Sequence, residues 1–90
     1  MIEKTVTISN RAGIHARPAS VLVGETKNYT SNITIRKVGD GGEALNAKSI
    51  ILLLSMGISA GTEIEIAADG ADEVQAVDAL VALVESGLGE

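Results

Sequence analysis

The chain of 90 residues has no cysteine, no phenylalanine and no tryptophan, and only one tyrosine, one proline and one histidine. The missing cysteines exclude disulfide staples, thiol catalysis and thiolate metal sites, and they fit a reducing compartment, so the expected location is the cytoplasm. The missing aromatics mean that a 46% hydrophobic fraction builds its core from Val, Ile, Leu, Met and Ala. No run reaches the ~20 apolar residues of a membrane helix. The N-terminal MIEKTVTISN alternates polar and apolar residues without the apolar stretch of a leader. The expectation is a soluble, unprocessed protein with one domain over residues 1–90.

Positive charge is scarce. Seven Lys and Arg stand against twelve Asp and Glu, for a net charge of −5, which argues against nucleic acid or an anionic membrane as partner. The cations are not evenly spread. Arg11 and Arg17 flank His15 and Lys48 precedes Ser49, while acids gather at Asp69, Asp72, Glu73, Asp78 and Glu85. A face shared by the basic residues would receive an acidic partner or a phosphate.

Periodicity supplies the elements. Thr5 to Ile8 alternates and is β-branched throughout, a strand with one buried face, and Asn10 to Gly13 reads as a turn. From Pro18, suited to a first helical turn, Ala19, Leu22, Val23 and Thr26 fall on one helical face. Asn32 to Val38 is a second strand, Gly39-Asp40-Gly41-Gly42 a turn, and Glu43 to Asn46 its returning strand. Ala47 to Ser55 reads as a short helix stopped at Gly57, and Glu63 to Ile66 as a strand with Glu63 and Glu65 facing water. Asp69-Gly70 turns the chain into a helix striped by Val74, Val77, Leu80, Val81 and Val84 and ended by Gly87, with Asp72 and Glu73 complementing its dipole. The order predicts an α+β fold, a four-stranded sheet with its helices on one face.

In this frame His15 sits just before the first helix, in the stretch AGIHARPAS. A helix start presents unbonded amides and partial positive charge to an anion. Pro18 has no N–H, so the nearest donors are the amides of Ala16 and Arg17, and the Arg17 guanidinium adds charge-assisted bonds. A neutral imidazole attacks phosphorus without a separate base, and the labile N–P bond suits a relay. The competing reading is plain: a surface histidine followed by a helix-starting proline. A second histidine and a neighbouring carboxylate are missing, so the sequence offers no metal set and no catalytic triad, and it carries no P-loop or dinucleotide fingerprint. No cofactor is expected.

Ser49 opens the proposed second helix, where a serine is ordinarily an N-cap but a phosphate is also favoured by the helix dipole. The run Ile50 to Leu54 is too continuous for the buried face of so short a helix, so part of it is expected to be exposed for docking.

The segments G-I-H-A-R-P-A at Gly13 to Ala19, N-A-K-S-I at Asn46 to Ile50, S-M-G-I at Ser55 to Ile58, G-T-E-I at Gly61 to Ile64 and S-G-L at Ser86 to Leu88 resemble HPr, the histidine-containing phosphocarrier of the bacterial phosphoenolpyruvate-dependent phosphotransferase system. The resemblance spans essentially the whole chain. It implies an open-faced β-sandwich in the order βαββαβα: an antiparallel four-stranded sheet of order 1-4-2-3 with three helices on one face. It implies a monomeric carrier rather than a turnover enzyme, with His15 taking a phosphoryl group from enzyme I through Nδ1 and passing it to enzyme IIA domains for sugar uptake. Arg17 would steady the phosphate, the amides of Ala16 and Arg17 would contact it, and Ser20, Ile50, Ile51, Leu54 and Gly57 would form the docking surface. Ser49 matches the serine that an HPr kinase/phosphorylase modifies, damping the relay and recruiting a transcriptional regulator.

Two features lean differently. The longer Gly39 to Glu43 hairpin region and the aliphatic run after Ser49 resemble the nitrogen-related HPr paralogue, whereas Lys48-Ser49-Ile50 resembles the kinase-regulated HPr. A further alternative is a non-catalytic adaptor on the same fold, binding partners through Ile50 to Met56.

Overall fold

The computed structural model describes residues 1–11, 13–39 and 42–88. Its elements are β1 (Ile2–Thr7), α1 (Ala16–Thr26), β2 (Asn32–Lys37), β3 (Leu45–Asn46), α2 (Ile50–Ser55), β4 (Glu63–Asp69) and α3 (Glu73–Glu85). The strands form one antiparallel sheet of order β1-β4-β2-β3, with the three helices on one face.

Strand alternation decides which face they cover. Val6, Ile33, Ile35, Ile64, Ile66 and Ala68 point inward and meet Leu22, Leu53, Ala76, Val77, Leu80 and Val84 of the helices. All are aliphatic, as the lack of Phe and Trp requires. On the open face the register sets Arg36 opposite Glu65, and the guanidinium grips the carboxylate with both arms, Nε to Oε1 at 2.9 Å and Nη2 to Oε2 at 3.2 Å. Such a fork aligns neighbouring strands more specifically than it stabilises them. Glu63 is exposed as expected; Glu65 instead pairs with Arg36.

Several boundaries differ from the sequence expectations, each for a tertiary reason. β1 begins at Ile2 because β4 pairs with it from Ala68 onward, and β4 runs on to Asp69 because Ala67 and Ala68 also pair with β2. Two alanines carry no alternation signal, so the sequence pattern ends at Ile66. Ile8, expected within the strand, lies one residue beyond it but keeps the ladder through Ile8 N–H to the Thr62 carbonyl (2.9 Å) and Gly61 N–H to the Ile8 carbonyl (2.8 Å). The returning strand shrinks to Leu45–Asn46. Its turn and the Asn10–Gly13 turn each include expected residues, Asp40 and Gly41 in one and Ala12 in the other, that lie outside the described residues.

α2 starts at Ile50 rather than Ala47 because Asn46 organises the approach: its Oδ1 accepts the Lys48 N–H at 2.9 Å and its carbonyl accepts the Ser49 N–H at 3.2 Å. α3 is anchored by its N-cap residue, though not in the expected manner. The Asp72 carboxylate accepts the backbone N–H of Thr30 (2.9 Å) and of Ser31 (3.0 Å) together with the Ser31 hydroxyl, fastening α3 to the loop before β2. These donors, the Ser31 hydroxyl first, hold the Asp72 carboxyl down at about 2 against a usual 3.8.

Candidate phosphoryl site

Gly13 lies against the segment that follows α2, with φ at 71°, where a Cβ would sit 2.6 Å from the Ile58 carbonyl oxygen. Glycine is required both for the left-handed conformation and for this close approach. Ile14 then turns into the core and donates its N–H to the Ile58 carbonyl at 2.9 Å. His15 follows as the exposed N-cap residue of α1, extended at φ −114°, ψ −165°, and its carbonyl accepts the first helical bond from Ala19 N–H at 2.9 Å.

The amides of Ala16 and Arg17 therefore precede the first bond of the helix, and Pro18 at the next position has no N–H to offer. Ala16, Arg17 and Ser20 are exposed, and Arg17 makes no hydrogen bond or ion pair with the described residues. An exposed imidazole, two first-turn amides and a guanidinium thus share the start of one helix. Chemically this is a nucleophile beside an anion receptor.

α1 and α2 lie antiparallel. The start of α1 is bonded to the end of α2 through Ile14 and Ile58, while Lys48, just ahead of α2, donates its ammonium to the Tyr29 carbonyl beyond the end of α1 at 2.8 Å. The eleven residues of α1 rise about 16 Å. Gly57, exposed with φ 61°, belongs to the His15 end, and Ser49 to the other. The expected sites thus form two groups: His15, Ala16, Arg17, Ser20 and Gly57 lie toward the start of α1 and the end of α2, whereas Ser49 caps the opposite end of α2. Lys48 keeps its charge but holds it at the Tyr29 carbonyl, beyond the other end of α1 from His15 and Arg17.

Ser49 is the N-cap expected of it, its Oγ accepting the Leu52 N–H at 3.3 Å. Ile50, Ile51, Leu52 and Leu54 are 38, 77, 38 and 40% exposed, an apolar surface along the helix that Ser49 opens. The expected patch from Ile50 to Met56 is narrower than the sequence suggests, since Leu53 is buried and Met56 packs partly into the core. Sequence reasoning missed Asn10, which is buried and donates its side-chain amide to the Gly13 carbonyl. The only signal in the sequence is an asparagine three residues before a glycine, which by itself indicates a turn. Among the described residues no group of His, Asp and Glu side chains could hold a metal ion, and no helix is long and apolar enough to cross a membrane.

Residues 2–86 match the family model for the PTS HPr component phosphorylation site. The chain is 41% identical to the HPr-like protein Crh of Halalkalibacterium halodurans, covering 94% of this chain and 98% of that one. It is 40% identical to the phosphocarrier protein NPr of Klebsiella oxytoca, covering 99% and 97%. It also matches the multiphosphoryl transfer protein of Haemophilus influenzae at 36% identity, but spans only 18% of that protein's length. The crystal structure of HPr-C-His from Thermoanaerobacter tengcongensis superposes with a TM-score of 0.91 at 41% identity, covering 100% of this chain and 98% of that one. With the family's pattern matched along nearly its whole length and the same fold at high similarity, the chain belongs to the HPr family of phosphotransferase-system phosphocarriers.

Proposed function

We propose that the protein accepts a phosphoryl group on His15 from phospho-enzyme I and hands it to an enzyme IIA domain. The observation that carries this reading is the exposed imidazole at the N-cap of α1, directly before the two amides that the helix leaves unbonded. The Nδ1 lone pair of the neutral ring attacks phosphorus, the bond to the donor breaks with its electron pair leaving on the donor, and the ring proton stays on Nε2. As the phosphoryl oxygens come to rest at the helix start, the Ala16 and Arg17 amides and the Arg17 guanidinium meet their charge. The apolar surface of Ile50, Ile51 and Leu54, with Ser20 and Gly57 beside it, receives both partners in turn. The working unit is the single chain in the cytoplasm.

Ser49 is the proposed regulatory site, modified by an HPr kinase/phosphorylase and read by a transcriptional regulator. Its place at the start of α2, beside the exposed Ile50 and Ile51, supports a phosphate that acts by repelling an acidic partner from the shared surface. Incubation with enzyme I and phosphoenolpyruvate tests the main reading, which requires acid-labile phosphate on the wild type and none on His15→Ala.

A second reading is supported by the breadth of the apolar surface on α2, which does not depend on His15: a regulatory carrier of the nitrogen-related kind, or an adaptor that binds its partner through α2. Partner binding that survives His15→Ala at full strength, without phosphoryl transfer in the wild type, would favour the adaptor.

A further inference from the structure

The peptide group joining Gly13 to Ile14 is held at both ends. Its carbonyl, on Gly13, accepts the side-chain amide of Asn10. Its N–H, on Ile14, donates to the Ile58 carbonyl at 2.9 Å. The Gly13 N–H closes the same turn by donating to the Asn10 carbonyl at 3.0 Å. A peptide group is planar, with its C=O and N–H pointing in opposite directions. Two partners on opposite sides therefore remove its freedom to rotate, and the next residue along the chain is His15.

Asn10 is suited to this task by burial as well as by chemistry. It is only 6% exposed, so water competes little for its amide. The close seating of Gly13 on Ile58 and Ser59 leaves the turn little room to adjust if that bond is lost.

We propose that Asn10 is a positioning residue for phosphoryl transfer: its carboxamide and the Ile58 carbonyl fix the Gly13–Ile14 peptide plane and so set the His15 ring against the amides of Ala16 and Arg17. The inference rests on the reading of His15 as phosphoryl acceptor. Asn10 does not touch the phosphate; it acts through the backbone between.

Asn10→Asp is the discriminating substitution, because the carboxylate keeps the shape but has no proton to donate and turns a lone pair toward the Gly13 carbonyl. Transfer from phospho-enzyme I, measured below the unfolding temperature of each variant, is expected to lose about tenfold in kcat with KM within about twofold. Asn10→Ala should show the same split. A folded Asn10→Asp with unchanged kcat, or with the whole effect in KM, overturns the proposal. Should neither variant fold, the wild type still decides: NMR coupling across the hydrogen bond from Asn10 Nδ2 to the Gly13 carbonyl carbon is expected, and its absence overturns the proposal. A wild type that takes no phosphate on His15 defeats the underlying reading instead, which separates the two failures.

Discussion

The ammonium of Lys48 donates to the carbonyl of Tyr29 at 2.8 Å, joining the approach to α2 to the end of α1 across 19 residues of sequence. Tyr29 is held in turn, its hydroxyl donating to Glu25 on the last turn of α1 at 2.9 Å. A lysine beside the proposed regulatory serine invites a reading as a phosphate or partner contact. Its geometry makes it a brace. Lys48→Met is expected to lower stability by about 1–2 kcal/mol in urea unfolding while leaving phosphoryl transfer to His15 within about twofold. A large loss of transfer at unchanged stability would return Lys48 to the docking surface.

Acid should loosen the tie between α3 and the loop before β2. The Asp72 carboxyl, held at about 2 by Ser31 and Thr30, releases its proton more readily in the folded chain than in the unfolded one. Its contribution is therefore complete above the unfolded value near 4 and is lost as pH falls through about 2. Glu73 is also lowered, first by the Gly70 amide and then by the chain's N-terminus, and acts in the same direction. Unfolding midpoints measured from pH about 6 to about 2 should show wild type above Asp72→Asn at the upper end, with the gap closing in acid. A gap independent of pH would remove the carboxylate from the explanation.

Arg17 makes no bond with the described residues that the fold would miss. Arg17→Ala should therefore leave the unfolding curve in place and slow transfer to or from His15 by roughly ten- to a hundredfold. Stopped-flow transfer kinetics with unchanged rates would count against the guanidinium as a phosphate clamp.

The capping role of Ser49 allows charge and stability to be separated. Asp caps a helix about as well as Ser, whereas Ala costs about 1 kcal/mol. Ser49→Asp is expected to keep its stability and raise KM for enzyme I, and Ser49→Ala to lose stability and keep KM. Equal KM for the two variants would remove the electrostatic account of regulation at this position.

Much of this was legible beforehand, and unevenly. The His15 turn, the helix start at its side and the exposed apolar run after Ser49 follow from local chemistry: a proline without an N–H, a serine cap, too many aliphatics for one face. The contacts that place the site are different in kind. Ile14 to Ile58, Lys48 to Tyr29 and Asp72 to Thr30 and Ser31 join segments far apart in sequence, and no periodicity reports them. Asp72 in sequence is a complement to its own helix dipole, yet its oxygens serve Thr30 and Ser31 in the loop before β2. Asn10 in sequence signals only a turn, and its burial and its bond to the Gly13 carbonyl show that its amide is turned inward on the residues before His15. The two halves of β4 make the same point: Glu63 to Ile66 announces itself by alternation, while Ala67 to Asp69 becomes strand only because partners lie on both sides.

The most direct test of the central claim is long-range nitrogen–proton NMR of the His15 ring, recorded while enzyme I and phosphoenolpyruvate phosphorylate the labelled protein. The account predicts a phosphorus coupling at Nδ1, with the amide signals of Ala16 and Arg17 moving together as the phosphate settles on the helix start. Phosphorylation at Nε2, at another residue, or nowhere while the same enzyme I charges a known carrier would contradict it.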